Sequence, residues 1–379
     1  MADAQGGRLL EAIATALPRA STQALDISFN ELLDMYKNKE LNIAPDFQRL
    51  FRWSPGQRSR FIESLLLEMP VPPIFMIEEE EGRYILIDGL QRISSYLHFR
   101  GELEALHLDP PVDLGEKLTL VDCDIVKELN GLTFDSLDVG LQIRAKRAFI
   151  RVEIVRKGSD PHFKYHMFKR LNTGGELLSE QQVRNSTIRM LDTKFPDFII
   201  AMSEVDVFAD CTEYLTQERL NSAFDQELVL RFFALKNRRD KFKHEVSDFL
   251  TDYMEDIADP AKPEVFDYQT EEAIFRKTFA ILKNALGAYA FAFAKKDRTG
   301  LSGGFSTYHY EGITIGLQRV VNKINPDDAA AIARLKVTLE KIKLDPQFIK
   351  ITTGGGKNSP GLLNQRINFV GEQLKNEFP

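Results

Sequence analysis

The sequence predicts an α+β fold in which a mixed α/β domain, residues 1–205, precedes an all-α domain, residues 206–379. From Ile27 to about Asn130, short β-like runs alternate with helical segments, which is typical of an α/β or α+β unit. Beyond about Ser222 the apolar residues recur almost wholly at helical spacing. A length of 379 residues favours two domains, and 43% hydrophobic with 28% charged residues is the composition of a folded protein.

Helix-capping and turn residues delimit the elements of the first domain. Ser54 and Pro55 suit the N-cap and the first position of a helix. Apolar strands flank an acidic turn at 78–82, and Asp88-Gly89 leads into a helix that ends at Gly101. The predicted elements are strands over 74–77, 84–87 and 147–155, a helix over 161–171 closed by a loop at 172–175, and a helix that begins with a capping box at Ser179 and Gln182.

Helical periodicity accounts for nearly all of the second domain, and no internal repeat of fixed period is present. The predicted helices cover residues 227–235, 246–254, 271–294, 327–342 and 360–378. The second domain is therefore expected to be all-α, with a pattern that is almost wholly helical.

Composition and charge limit the functional classes. The net charge of −7 and the pI near 5.6 argue against a protein that coats nucleic acid with its whole surface, but they are compatible with a local basic face. Cys123 and Cys211 are the only cysteines, which excludes a disulfide framework and a four-cysteine zinc site. No apolar run reaches the roughly 20 residues that a membrane span needs. We expect a cytoplasmic protein without a membrane partner.

The segment from Ile85 to Arg92 gives the strongest chemical signal. An apolar strand delivers Asp88 and Gly89 to a tight turn, and the next helix exposes unpaired backbone N–H groups at the positive end of its dipole. This arrangement suits a phosphate, to which Arg92 adds positive charge. The alternative is that Asp88 only caps the helix and that Arg92 is a solvated side chain.

Three motifs occur in order along the first domain, namely Gln48-Arg49-Leu50-Phe51-Arg52-Trp53, Asp88-Gly89-Leu90-Gln91-Arg92 and Asn172-Thr173-Gly174-Gly175. Together they resemble domain of unknown function 262, the N-terminal domain of GmrSD-type restriction endonucleases, which is related to the ParB/sulfiredoxin fold. The chain is similar to short stand-alone members, and the resemblance is weaker in its second half. Leu90 stands where the family usually has a Gln, so the resemblance implies weak hydrolysis at most.

The resemblance implies binding of a nucleoside triphosphate with Mg²⁺ in a bacterial phage-defence or DNA restriction system. Asp88, Gln91 and Arg92 would be the catalytic residues at the phosphates, and Asp88 is also a candidate metal ligand. For the glycine-rich third motif, a simple helix C-cap is the alternative. The nucleotide-binding residues expected from the motifs are Gln48, Arg49, Gly89, Asn172, Thr173 and Gly174.

Two basic islands are candidates for contact with DNA, with solvated helix faces as the equal alternative. The DNA-binding candidates are Arg147, Arg151, Arg238, Arg239 and Lys241. His244 and His309 are isolated, and neither lies in a recognisable His-Asn-His nuclease motif, so no separate nuclease module is expected.

The leading hypothesis is a weak Mg²⁺-dependent NTPase. One alternative is a non-enzymatic, ParB-like switch in which nucleotide binding gates DNA binding. Another is a metal-dependent nuclease that uses Asp88 in the ParB-like domain. The expected partners are the nucleoside triphosphate, DNA, and a separate nuclease or other defence-system subunit.

Overall fold

The structure is a computed structural model that describes residues 21–43, 53–106, 110–160, 163–164, 167, 170–171, 179–243, 245–262 and 265–379. Its internal contacts divide the chain into two compact units, Met1–Glu176 and Leu177–Pro379. The first unit is mixed α/β and the second is dominated by helices, which confirms the predicted α+β class. The two units meet earlier in the chain than the predicted domain boundary near residue 205, and that boundary stays a prediction. The likeness to the ParB/sulfiredoxin fold also stays a prediction.

The first unit contains a mixed five-stranded sheet with the order β1-β5-β3-β4-β2. Strands β1 and β5 pair antiparallel, as do β3 and β4, whereas β3 with β5 and β2 with β4 pair parallel. The described elements of this unit are β1 Thr22–Ser28, α1 Phe29–Lys37, β2 Leu41–Asn42, α2 Pro55–Leu66, β3 Ile74–Glu80, β4 Arg83–Asp88, α3 Leu90–Arg100, α4 Val139–Arg147 and β5 Phe149–Val155.

The local signals for this unit are confirmed with two corrections. The turn predicted over 78–82 was too long, because β3 continues to Glu80 and only residues 81–82 form the turn. Ser54 and Gln57 form a reciprocal capping box at the start of α2, and Gly101 ends α3 in the left-handed conformation at φ 74°. The strand predicted from Arg147 was wrong at its start, because Arg147 is the last residue of α4. Asp138 caps that helix, and the basic side chains in its last turn suit the negative end of the helix dipole.

The core of the first unit lies on one face of the sheet. Ile150, Val152 and Ile154 of β5 alternate with outward residues and join one buried cluster with side chains of β3, β4 and helices α1 to α3. At the other face, Phe149 and Arg151 are exposed at the beginning of β5. This alternation fixes the register of the strand, since a shift by one residue would expose the core residues.

The second unit is helical apart from a short two-stranded hairpin. The helix predicted over 271–294 is too long, because it ends at Leu286 before Gly287, and the hairpin begins at Phe293. The elements are α5 Glu180–Ile188, α6 Lys194–Ser203, α7 Asp206–Cys211, α8 Gln217–Asn221, α9 Phe224–Arg238, α10 Val246–Ala258, α11 Tyr268–Leu286, β6 Phe293–Ala294, β7 Leu301–Ser302, α12 Thr307–Leu317, α13 Ala329–Leu344, α14 Pro346–Thr352 and α15 Pro360–Glu377.

Helix α12 lies in the core of the second unit, where all residues from His309 to Leu317 are buried. Gly316 permits a close approach to α15, because a Cβ atom there would lie 2.8 Å from the Val370 Cβ. A helix buried on all sides lacks an amphipathic pattern, which explains why α12 was not predicted. Among the described residues, no helix is both long enough and apolar enough to cross a membrane.

A chain of five charged side chains runs through the second unit. Arg184 and Arg231 each donate to Glu227 at 2.8 Å, Arg231 also donates to Glu311 at 2.5 Å, and Arg366 pairs with Glu311. Glu311 is 2% exposed and Arg366 is 1% exposed. Burial raises the pKa of Glu227, but Arg231 and Arg184 outweigh it and hold that pKa below its ordinary value. The five side chains will be called the buried ionic chain.

Candidate functional site

The strand-turn-helix around Gly89 has the predicted geometry. Strand β4 ends at Asp88, Gly89 adopts φ 110° and ψ 11°, and α3 begins at Leu90. A Cβ atom on residue 89 would lie 2.3 Å from the Ile74 Cγ2, so both the backbone conformation and the contact with β3 require glycine. The N-cap of α3 is Gly89 itself, which has no side chain that could cap the helix.

Asp88 and Arg92 face each other one helical turn apart at this N-terminus. The Arg92 Nη2 donates to the Asp88 Oδ2 at 2.5 Å and to the Pro73 carbonyl at 3.2 Å. The Arg92 side chain is 14% exposed and that of Asp88 is 44% exposed. The Arg92 Nε is buried and has no hydrogen-bond partner among the described residues. The turn thus holds a fixed guanidinium with an unused donor beside a half-exposed carboxylate.

Gln91 connects this turn to the segment before α2. Its Oε1 accepts a hydrogen bond from the Trp53 backbone N–H at 3.0 Å. The Arg58 Nε donates to the Trp53 carbonyl at 2.7 Å, so both backbone groups of Trp53 are held. The Trp53 ring contacts Phe61 of α2, with 5.7 Å between the ring centroids. Gln91 therefore positions the chain that follows the first motif.

A buried histidine lies behind this connection. The Arg58 Nη1 lies 3.2 Å from the His98 Nδ1, and His98 is 5% exposed. Burial and the positive charge of Arg58 lower the pKa of His98 to about 4. His98 is therefore neutral at pH 7, with Nδ1 accepting from Arg58, and its Nε2 has no hydrogen-bond partner among the described residues.

The structure brings together only part of the predicted site. Asp88, Gly89, Gln91 and Arg92 lie in one turn and its helix. The nucleotide-binding candidates Gln48, Arg49, Asn172, Thr173 and Gly174 lie outside the described residues. Sequence reasoning missed Arg58 and His98, for which the only signal is their place on two helices that pack beside the turn.

One family model matches this part of the chain. It is described as the GmrSD restriction endonuclease, N-terminal domain, and it covers residues 29–189. Residues 29–189 belong to the GmrSD N-terminal domain family. The predicted recognition is confirmed, and the matched range includes the whole Asp88–Arg92 turn. The curated proteins and the solved structures contain no significant match to the chain.

The DNA-binding candidates differ in what their guanidinium or ammonium groups contact. Arg151 of the GmrSD-type domain lies near Asp26 and Glu153, at 3.4 Å from each, whereas Arg147 is exposed. In the second unit, Arg238 is paired with Asp256 at 2.5 Å and is 11% exposed, Arg239 has its pKa lowered by burial and by nearby Arg319, and Lys241 is exposed. Contact with DNA stays a prediction for all five candidates.

Metal binding at Asp88 also stays a prediction. Within the described part of the chain, no group of three or more His, Cys, Asp or Glu residues is placed to hold a metal ion. The Asp88 carboxylate is instead paired with Arg92. Asp88 can therefore contribute one oxygen ligand to a metal whose remaining ligands come from water or phosphate, as is common for Mg²⁺.

Proposed function

We propose that the GmrSD-type domain binds a nucleoside triphosphate with Mg²⁺ at the Asp88–Arg92 turn, and hydrolyses it weakly, within a restriction or phage-defence system. The family match supports the restriction-system context. The observation that carries the nucleotide site is the strand-turn-helix in which Gly89 leads from β4 into the N-terminus of α3, with Arg92 fixed beside it. Backbone N–H groups, the helix dipole and a guanidinium together form a suitable environment for phosphate oxygens.

Each residue of the turn has a distinct part in this proposal. Gly89 forms the turn at positive φ that leads from β4 into α3, where a Cβ atom would collide with Ile74. Arg92, which is held beside the turn by Asp88 and the Pro73 carbonyl, supplies the guanidinium charge that neutralises the phosphate. Asp88 offers a carboxylate oxygen to Mg²⁺. The carboxylate would then contact both the metal and Arg92. Gln91 positions Trp53 and the preceding segment that contains Gln48 and Arg49.

A nucleotide-gated switch without turnover is the second candidate function. Leu90, which replaces the Gln usual in the family, packs partly buried against the apolar core of the first unit. An aliphatic side chain supplies no hydrogen bond to a base or to an attacking water. This observation favours nucleotide binding without hydrolysis. In this function, the bound nucleotide would change the affinity of the protein for DNA.

Thermal melting and phosphate release separate the two functions. A ligand at about 100 times its Kd stabilises the folded protein by about 2.7 kcal/mol, so one of ATP, GTP, CTP or UTP with Mg²⁺ is expected to raise the Tm. The proposal of weak hydrolysis expects slow release of phosphate that Leu90→Gln accelerates and Leu90→Met does not. A raised Tm without any phosphate release assigns the switch function. A Tm unchanged by all four nucleotides contradicts both.

A further inference from the structure

A groove of about 720 Å³ lies in the first unit, and it shares no lining residue with the Asp88–Arg92 turn. Its walls come from three places in the chain: the end of α2 with the residues after it, one side of α4, and the beginning of β5 together with Asp26 of β1. Its apolar lining includes Leu65, Met69, Val71, Ile143 and Phe149. The volume is in the range of sites that bind a ligand or a few side chains of a partner.

The apolar side chains of this groove are unusually accessible. Phe149 is 68% exposed, Met69 is 45% exposed and Ile143 is 44% exposed. Val139, one helical turn before Ile143, is 71% exposed, and Leu67 is 37% exposed next to the Met69 wall. The apolar surface therefore continues beyond the groove at two sides. Clustered exposed apolar side chains on a folded domain mark an interaction site.

Arginines form the charged part of the same groove. Arg144 and Glu68 are 3.5 Å apart, and Arg151 is 3.4 Å from Asp26, with all four side chains at least 50% exposed. Exposed ion pairs of this kind contribute little stability and are readily exchanged. Arg147 also lines the groove, and no described residue pairs with it. The groove can therefore offer three guanidiniums to incoming carboxylates.

We propose that this groove binds an acidic peptide segment of a partner protein through large apolar anchor residues. Phe, Met and Arg are the residue types enriched at protein interfaces, and the exposed Phe149 and Met69 would be covered by the anchors. Duplex DNA presents charged phosphates along its backbone and would leave these apolar side chains in contact with water. Strand β1 is the edge of the sheet, and its Asp26 lines the groove, so an extended segment can also pair with that edge.

The test uses a display library of random peptides of about 12 residues, panned against the full chain. Enriched sequences are expected to contain at least two large apolar residues and a net negative charge. Affinity of a synthetic consensus peptide, measured by fluorescence anisotropy, should fall at least about tenfold in Phe149→Asp and in Arg147→Glu. Both positions are exposed, so neither variant disturbs the core. Leu114→Asp, also exposed in the first unit and outside the groove, is the matched control and should bind as wild type.

Three outcomes would overturn the proposal. The first is that no peptide is enriched over a parallel selection on Phe149→Asp. The second is that enriched peptides are basic, or bind Phe149→Asp and Arg147→Glu as tightly as wild type. The third is that a duplex oligonucleotide displaces the peptide in an Arg147-dependent manner, which would assign this face to DNA.

Discussion

The two compact units hold arginine–carboxylate pairs in opposite ways. In the GmrSD-type domain, the Asp88 carboxylate of the pair with Arg92 is 44% exposed. In the second unit, Glu311 is 2% exposed and lies between Arg231 and Arg366. The first pair can exchange partners with a ligand that arrives from solvent. The second cannot, because every group in the buried ionic chain would have to leave its partner in a low-dielectric interior.

An ion pair alone therefore does not indicate a functional site. The buried ionic chain contains more charge than the Asp88–Arg92 turn, yet its geometry is that of an internal support between helices α5, α9, α12 and α15. The turn combines its pair with the N-terminus of α3, where the N-cap residue is a glycine at φ 110°. Exposure to solvent and a place at a helix N-terminus, rather than the number of charges, distinguish the two.

The largest expected effect is on the buried ionic chain. Glu311→Gln removes the carboxylate shared by Arg231 and Arg366 and should lower the free energy of unfolding by about 3–5 kcal/mol. Urea unfolding followed by circular dichroism at about 222 nm, where helices dominate the signal, measures it. Glu372→Gln is the control, because its pair with Arg319 leaves Glu372 60% exposed, and its effect should stay below about 1 kcal/mol. Equal effects for the two variants would contradict a structural role for the buried chain.

Gly89→Ala should have the next largest effect. Strain at positive φ and the contact with Ile74 together should destabilise the first unit by roughly 2–4 kcal/mol. Gly82→Ala is the matched control, because Gly82 also has positive φ, at 77°, but no atom lies within 4 Å of the position that its Cβ would take. Its cost should be about 1 kcal/mol. Fluorescence of Trp53, the single tryptophan, follows urea unfolding of this unit. An equal decrease in the free energy of unfolding for Gly89→Ala and Gly82→Ala would contradict close packing at Gly89.

A pH dependence should distinguish the region behind the turn. The pKa of His98 is lowered to about 4 from an ordinary value of 6.5. Between pH 6.5 and pH 4, His98 is therefore protonated in the unfolded chain and neutral in the folded chain. The contribution to stability is complete above pH 6.5 and is lost as the pH falls towards 4. At about 1.4 kcal/mol per pKa unit, the loss is at most about 3.5 kcal/mol. His98→Gln, which keeps an acceptor for Arg58, should flatten this part of the stability curve measured with Trp53 fluorescence; an unchanged curve would contradict the lowered pKa of His98.

Local signals predicted much of the fold. Capping residues, the acidic hairpin turn and alternating apolar residues located α2, β3, β4 and α3, since these elements are determined by neighbours in sequence. The order of the sheet was not predictable in this way, because β1 pairs with β5 across more than a hundred residues. Helix α12 was missed because burial on all sides removes the helical pattern of polar residues.

The candidate site was predicted only in part, because local sequence signals locate residues that are neighbours along the chain. Asp88, Gly89 and Arg92 are close in sequence, so the motif itself located them. The hydrogen bonds of Gln91 to Trp53 and of Arg58 to His98 connect residues about forty positions apart and depend on how α2 and α3 pack. Arg238 forms an ion pair with Asp256. The sequence indicated only that Arg238 lies in a basic island, because the partner carboxylate comes from another helix.

The most direct measurement of the central claim is calorimetric titration of the chain with ATP, GTP, CTP and UTP in the presence of Mg²⁺. At least one nucleotide should bind saturably, and Arg92→Ala should weaken it roughly 10- to 100-fold, the worth of a charged hydrogen bond. Arg83→Ala is the control, because Arg83 lies on the same strand as Asp88 and is 70% exposed. Its affinity should match wild type. Absence of binding to all four nucleotides, or equal affinity in wild type and Arg92→Ala, would contradict a nucleotide site at the Asp88–Arg92 turn.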